Sequence, residues 1–397
     1  MNKRYYIALG AVLAAILCTG IAVLTLSSRV REQGAAESVP VMAEAAVTAA
    51  PESAPPVTAE PEPIMPEAAV STAEPGPEPE PVNYTGLIPH IFFHSLIVYP
   101  EMIYTDMETP RIENNQEFCL LSELEKLLPQ LYERGYVLYD LNDCFRMADG
   151  KMQRQEILLP PGKKPLILSV DDVAYAYGDG YAQALRVEDG ELIWYVKNPQ
   201  GEIEKRRDGD VMGVVDAFVA EHPDFSHNGH KGTIALTGFQ GAFGYPDYES
   251  AENIEGIRTV AEALKADGWN FASHSYTHNG GEYGYWGEGL QPEKIRYDIN
   301  KWVERCTPAL GETRLFIAPF GCRVTDETAL RSILDAGFDV YCTVDDEVIN
   351  ELYDDYALTS RVEICGYSFT YFQDTLNEWF CSVDEVFDPS ARPPVPK

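Results

Sequence analysis

The chain has 397 residues, which is enough for one large domain or two medium ones with appendages. Its 63 acidic and 30 basic residues give a formal net charge of −33, so its surface repels nucleic acid and anionic bilayers. Composition therefore excludes nucleic acid as the main partner, and it leaves the chemistry of the protein open.

The first predicted element is a membrane anchor over residues 1–27. Lys3 and Arg4 precede an uncharged apolar run of 22 residues that ends at Leu26, and such a run spans roughly 30 Å of hydrocarbon as a helix. Basic residues ahead of the run favour a single pass through the cell membrane with the rest of the chain outside the cell. A cleaved signal peptide is the alternative, although no A-x-A cleavage site follows the run.

A linker is predicted over residues 28–86. Within it, residues 33–83 contain eleven prolines and nine glutamates, but no lysine, arginine or aromatic residue. Such a segment buries too little apolar surface to offset the entropy lost on ordering. We expect an extended, self-repelling tether that holds the following domain away from the membrane.

Residues 87–397 are predicted to form one domain, in which strand-like and helix-like patterns alternate. Buried runs such as "KPLILSVDD" and "WNFASHS" are separated by amphipathic helical patterns such as "AENIEGIRTVAEALKADG". Repeated βα units predict an α/β fold with a parallel sheet or barrel, whose active groups lie at the carboxyl ends of the strands. Residues 178–210 interrupt this order with alternating segments and a D-G turn, which predicts an inserted β-hairpin.

Polar side chains follow three of the predicted strands: Asp171 with Asp172, His274 with His278, and His94. Each pattern alone is commonplace on a surface or in a core, but their joint occurrence at strand ends favours a site. Two imidazoles and one carboxylate leave open positions on a zinc-like ion, as in hydrolytic metal sites. "HSYTH" lacks the glutamate of H-E-x-x-H, which argues against a zincin-like protease.

These segments resemble polysaccharide deacetylases of the NodB-homology type, carbohydrate esterase family 4. "LILSVDDVAY" is similar to the family motif T-F-D-D-G, "SHSYTH" to H-[ST]-x-x-H, and "FIAPFG" to R-x-P-Y-G. The resemblance runs from about Ile88 to Arg361 and implies a distorted (β/α) barrel. It also implies a hydrolase that removes N-acetyl groups from an acetylated cell-wall or surface polysaccharide, such as peptidoglycan or poly-N-acetylglucosamine.

The resemblance assigns metal ligands and a base at matching positions. Asp172, His274 and His278 would bind a divalent ion, for which zinc is favoured and nickel, cobalt and manganese also fit. Asp171 would be the general base that takes a proton from the attacking water.

The third motif implies a wall of the substrate groove. Pro319, Phe320 and Gly321 would shape this groove, and the backbone N–H of Phe320 would stabilise the oxyanion.

The catalytic acid is expected at the start of the domain. The family usually places this histidine after the other motifs, but no histidine follows His278. "PHIFFHSLIV" resembles the P-V-x-x-Y-H-x-I opening of a circularly permuted branch, in which the acid-bearing strand comes first. His94 is therefore the predicted acid.

Two departures from the family pattern keep a rival function open. Ile317 stands where the family has the arginine that orients the base, for which Arg323 or Arg314 is a predicted substitute, and Val173 replaces a glycine beside the predicted ligands. These changes favour a non-catalytic glycan-binding or scaffolding protein of the same fold. Release of O-linked acetyl groups is a further alternative, because the same chemistry serves an esterase.

Overall fold

The computed structural model describes residues 79–103, 116–175, 180–280, 284–287 and 290–392. The predicted anchor at 1–27 and most of the predicted linker lie outside these ranges. Within them, no helix combines the length and the apolar character needed to cross a bilayer. The predicted linker extended to residue 86, but Val82–Asn83 already pair with Leu158–Leu159, so the folded part begins earlier.

Strands and helices alternate along most of the described chain. The strands are β1 (Val82–Asn83), β2 (His90–Phe93), β3 (Tyr136–Leu138), β4 (Phe145–Ala148), β5 (Lys151–Arg154), β6 (Leu158–Leu159), β7 (Lys164–Asp171), β8 (Ala182–Glu188), β9 (Glu191–Lys197), β10 (Ile203–Arg206), β11 (Gly232–Leu236), β12 (Trp269–Ser273), β13 (Leu315–Ile317), β14 (Val340–Val344), β15 (Asn350–Leu352) and β16 (Ala357–Glu363). The helices are α1 (Leu121–Glu133), α2 (Val211–Glu221), α3 (Ala251–Ala266), α4 (Pro292–Leu310), α5 (Glu327–Asp335), α6 (Gly366–Tyr371), α7 (Gln373–Trp379) and α8 (Val383–Val386).

Seven parallel strands close into a barrel. Around the barrel the order is β2, β7, β11, β12, β13, β14 and β16, and β16 pairs with β2 to close the ring. The prediction of a (β/α) barrel is therefore confirmed. Strands β3 and β15 extend the sheet outside the ring, on β7 and β16 respectively.

The alternation of side chains along each strand separates the inside of the barrel from the outside. On β7, Leu168 and Val170 pack with the surrounding helices, whereas Ile167 packs with inward residues of the other strands. Ser169 and Asp171 share the inward face of Ile167, because they follow it at steps of two. Apolar residues thus fill the barrel interior towards the amino ends of the strands, and polar residues lie near the carboxyl ends.

Capping residues set the limits of the outer helices. The Ser250 hydroxyl accepts a hydrogen bond from the Asn253 N–H at the start of α3, and Asp326 caps α5 through the Ala329 N–H. After α3 the chain turns at Gly268 with φ +97°, where a Cβ atom would lie 2.0 Å from the Gly229 carbonyl oxygen. Glycine is therefore required at the turn that leads into β12.

The predicted hairpin insertion is a three-stranded antiparallel sheet formed by β8, β9 and β10. Its inner face packs on the outer core of the barrel through Leu185, Trp194 and Val196, all of which are buried. The inserted sheet is thus joined to the body of the domain by a continuous apolar core.

Candidate active site

Two adjacent carboxylates lie where β7 leaves the barrel. Asp171 is the last residue of β7 and points inward, and its side chain is buried. Asp172 follows in the left-handed region, with φ 58°, because the chain turns sharply at this point. This turn directs the two neighbouring carboxylates to different positions at the mouth of the barrel.

The two motif histidines follow β12, which is separated from β7 by β11 alone. His274 comes directly after the strand, and a turn with Ser275 at φ 62° and His278 at φ 46° brings the second imidazole back. The Nε2 atoms of His274 and His278 lie 4.0 and 3.9 Å from Oδ2 of Asp172. The structure therefore brings the three predicted ligands together.

This donor set fits a divalent cation. One ligand atom from each of Asp172, His274 and His278 can be chosen so that all lie within 4.8 Å of one another. Nδ1 of His274 lies 2.8 Å from the Ile317 carbonyl oxygen. Because this oxygen can only accept a hydrogen bond, Nδ1 carries the proton, and Nε2 keeps a lone pair with which it can bind a metal ion. Burial lowers the pKa of His274, and it lowers that of His278 to about 4, so both imidazoles are neutral at ordinary pH. Two neutral imidazoles and one carboxylate form a ligand set typical of catalytic zinc.

A buried carboxylate holds the loop that carries the second histidine. Asp298 of α4 is fully buried, and it accepts hydrogen bonds from the Thr277 N–H at 2.8 Å and from Nε1 of Trp286 at 2.9 Å. Because Thr277 precedes His278 directly, these bonds fix the turn between the two imidazoles.

Arg361 on β16 is the partner of Asp171. Its Nη1 atom donates to both carboxylate oxygens, at 2.8 and 2.9 Å, and both side chains are buried. Burial alone would raise the pKa of Asp171. The charge and hydrogen bond of Arg361, together with the nearby His274 and His94, outweigh burial, and the pKa lies below its ordinary value. Asp171 is therefore ionised and fixed in orientation, as a general base requires.

The predicted substitutes for the family arginine lie elsewhere. Arg323 is paired with Glu351 and donates to the Tyr353 hydroxyl, and Arg314 is paired with Asp339 at 2.6 Å. The prediction that Arg323 orients the base is therefore wrong. The guanidinium that contacts Asp171 belongs to Arg361 on β16, which lies outside the three motifs quoted above.

His94 follows β2 directly, in the position on its strand that corresponds to Asp171 on the paired β7. Its Nδ1 lies 3.1 Å from Oε1 of Glu363, and its ring lies between those of Phe92 and Phe118. Burial would lower the pKa of His94, but the contact with Glu363 and the charges of Glu363, Asp171 and Asp172 raise it to about 9. The imidazole is thus protonated at neutral pH, as a general acid must be.

The predicted groove residues form a turn directly after β13. Pro319–Gly321 is a single 3₁₀ turn with Phe320 at φ 58°, and the Phe320 ring lies 4.3 Å from the ring of His278. At Gly280 a Cβ atom would lie 2.4 Å from this phenyl ring, so the aromatic side chain packs directly on backbone.

Comparison with known proteins gives structural matches only. No protein-family model and no curated protein matches the chain. The chain is similar to polysaccharide deacetylases of known structure.

Three of these structures span most of the folded part. A de-N-acetylase from Aggregatibacter actinomycetemcomitans is 11% identical, with 73% of this chain and 100% of that chain covered and a TM-score of 0.43. IcaB from Ammonifex degensii is 13% identical, with 74% and 97% covered and a TM-score of 0.42. The BpsB deacetylase domain from Bordetella bronchiseptica is 11% identical, with 72% and 100% covered and a TM-score of 0.34. At these identities the function of the chain rests on its own side chains.

Proposed function

We propose that the protein is a metal-dependent hydrolase that removes N-acetyl groups from an acetylated polysaccharide. One observation carries this proposal. At one end of the barrel, a carboxylate fixed by an arginine, a histidine paired with a glutamate and a His/His/Asp donor set lie together. Such a set can supply the base, the acid and the metal of a metal-assisted acyl hydrolysis.

Each residue has a distinct task in this reaction. A divalent cation held by Asp172, His274 and His278, with zinc favoured, would polarise the acetyl carbonyl and acidify a water. Asp171 accepts the proton of the attacking water as its oxygen bonds to the acetyl carbon. His94 donates a proton to the amine nitrogen as the carbon–nitrogen bond breaks. Acetate and a free amino sugar are the products.

The state of the acid favours amides over esters. An amine leaves only when it is protonated, whereas an alkoxide is a better leaving group and depends less on an acid. Because the contact with Glu363 favours the protonated form of His94, the site is suited to the harder amide reaction. An O-acetyl esterase is the alternative within the same chemistry.

The structure weakens the two arguments for a non-catalytic glycan-binding protein. The guanidinium that Ile317 cannot provide comes from Arg361. Val173 is fully buried in the core outside the barrel, so its side chain does not narrow the approach to the donor set. Both departures from the family pattern are thus compatible with an active site.

The proposed substrate lies at the cell surface. Residues 1–27 as an anchor and 28–86 as a spacer would hold the domain near a glycan such as peptidoglycan or poly-N-acetylglucosamine. His94 on the first barrel strand suits the circularly permuted branch of the deacetylases, and this order stays part of the proposal.

Acetate release by the full-length chain in detergent tests the proposal. The substrates are acetylated chito-oligosaccharides, peptidoglycan and an O-acetylated glycan, each with and without chelator. We expect chelator-sensitive release from the N-acetylated substrates, with kcat reduced about 10²- to 10⁴-fold in Asp171→Asn and His94→Ala. Release from the O-acetylated glycan alone would indicate an esterase. A folded, metal-binding protein that releases nothing with zinc, nickel, cobalt or manganese would support the glycan-binding alternative.

A further inference from the structure

Another buried carboxylate, that of Asp210, contacts the loop that follows the proposed acid. Asp210 lies between the inserted sheet and α2, and its side chain is fully buried. Its Oδ1 atom accepts hydrogen bonds from the Val211 N–H at 2.8 Å and from the Leu96 N–H at 3.0 Å. Leu96 is two residues after His94, so Asp210 fixes the backbone that leaves the acid.

The other oxygen of this carboxylate holds the loop that follows the ligand Asp172. The Tyr175 hydroxyl donates to Oδ2 of Asp210 at 3.0 Å, and the Tyr175 side chain is buried. Asp172 and Tyr175 both have left-handed backbones, with φ of 58° and 62°. Such conformations are costly for residues other than glycine and persist only where the surroundings hold them.

The inserted sheet completes this network. Nε1 of Trp194 on β9 donates to the Tyr175 hydroxyl at 2.9 Å, and the indole is buried. A continuous chain of hydrogen bonds therefore runs from Trp194 through Tyr175 and Asp210 to the backbone of Leu96. It connects the insertion to both loops that carry the proposed chemistry.

Burial of the Asp210 carboxylate, at the centre of this hydrogen-bond network, is unfavourable for its charged form. Burial raises the pKa of Asp210 to about 6, even though the Leu96 and Val211 N–H groups stabilise its charged form. An uncharged side chain would cap α2 without this penalty. Only a carboxylate offers acceptors to both loops and to the helix at once.

We infer that Asp210 is a positioning residue that fixes His94 relative to Asp172, and that the inserted sheet braces it through Trp194. The inference rests on the proposed function of the site. It makes the insertion a support for the catalytic loops and not a lid over the substrate. The expected effects are on metal affinity and on turnover, with little effect on substrate binding.

Cobalt binding by the full-length protein tests the inference without any activity. Co²⁺ is titrated by visible absorption into wild type, Asp210→Ala, Tyr175→Phe and Trp194→Phe. We expect the Co²⁺ dissociation constant to rise about 10-fold in all three variants, as is usual when support for a ligand is lost. Trp269→Phe is the matched control, because it removes a buried indole hydrogen bond, to Asp216, at the far end of the barrel.

Kinetics separate positioning from general destabilisation. The kinetics are measured with the substrate that wild type hydrolyses. In Tyr175→Phe we expect kcat to fall about 10-fold, because the distance between His94 and Asp172 is no longer fixed. We expect KM to stay within about 2-fold, because the residues that contact the substrate are unchanged. Asp210→Asn keeps the acceptor for Leu96 and Val211 but loses the one for Tyr175, so we expect kcat to fall about as much as in Tyr175→Phe.

Two outcomes would overturn the inference. One is an unchanged Co²⁺ dissociation constant in Tyr175→Phe and Trp194→Phe, which decide the matter if Asp210→Ala does not fold. The other is an equal loss of affinity in Trp269→Phe, which would reveal a general loss of stability. If wild type binds Co²⁺ but releases no acetate, the proposed function fails, and the cobalt affinities still decide the role of Asp210.

Discussion

The proton on His94 depends most on one neighbour, Glu363. Their side chains are about three-quarters buried, and Nδ1 lies 3.1 Å from Oε1. The folded-state pKa of His94 is raised from 6.5 to about 9. The pair therefore contributes stability that is fully present below pH 6.5 and is lost as the pH rises through about 9. A cation at the adjacent donor set would lower this pKa, because like charges repel.

We expect the replacement of Glu363 to change how kcat depends on pH. In Glu363→Gln the negative charge is lost, burial dominates, and the pKa of His94 falls. We expect the alkaline limb of kcat to move down by at least about one pH unit, with kcat below that limb reduced less than 10-fold. Acetate release measured from pH 5 to 10 gives the profile.

A matched control removes the same charge from the surface. Glu262→Gln on the exposed side of α3 should leave the profile unchanged. An alkaline limb at the same pH in Glu363→Gln and wild type would show that His94 is not the group that titrates.

At the scale of elements, β16 supplies the partners of both proposed catalytic groups. Arg361 and Glu363 are two residues apart on this strand, so both point into the barrel. Arg361 reaches across to Asp171, and Glu363 contacts His94 on the neighbouring β2. One strand thereby contributes to the charge state of the proposed base and to that of the proposed acid.

We expect the loss of the ion pair between Arg361 on β16 and Asp171 on β7 to lower the stability of the fold strongly. Arg361→Met keeps the length of the side chain but leaves Asp171 buried without its partner. We expect the free energy of unfolding to fall by roughly 3–5 kcal/mol, and Asp171→Asn/Arg361→Met to recover most of this loss. Chemical denaturation of the full-length protein in detergent measures both.

A more exposed ion pair provides the comparison. Arg331→Met on α5 removes a guanidinium from pairs with Asp335 and Asp355, in which all three side chains are about half exposed or more, so roughly 0–1 kcal/mol is expected. If Arg361→Met costs no more than Arg331→Met, or if the double variant recovers nothing, Asp171 does not depend on Arg361.

The sequence predicts the barrel and the proposed ligands far better than their partners. The two motif histidines follow a recognisable strand, and their joint occurrence with the aspartate pair at strand ends is what singles them out. Arg361 lies 190 residues after Asp171 in the chain, and no local pattern connects the two. Its signal was a charged residue in the strand-like run "YALTSRVEI", since a cation in a buried strand needs a buried anion.

At the scale of the whole molecule, the barrel brings distant segments to one donor set. Asp172 and His278 are separated by more than one hundred residues, yet their ligand atoms lie 3.9 Å apart. A cation that binds these atoms binds the folded chain and not the unfolded one. Metal binding must therefore stabilise the entire domain.

This linkage gives a prediction that needs no substrate. Zn²⁺ at about 100 times its dissociation constant should add about 2.7 kcal/mol to the free energy of unfolding and raise Tm by roughly 3–8 °C. Differential scanning calorimetry of the full-length protein after chelation, with and without added Zn²⁺, measures the shift. In Asp172→Ala the shift should be absent.

A second pair of histidines, His227 and His230, serves as the control, because it is a second place where a divalent ion could bind. His227 and His230 lie beside Asp140 and Asp143 at the other end of the barrel. His227→Ala should keep the full rise in Tm, since it leaves the proposed ligands Asp172, His274 and His278 unchanged. A rise that disappears in His227→Ala and persists in Asp172→Ala would place the cation away from the proposed base and acid. The hydrolytic mechanism would then have no metal at its centre.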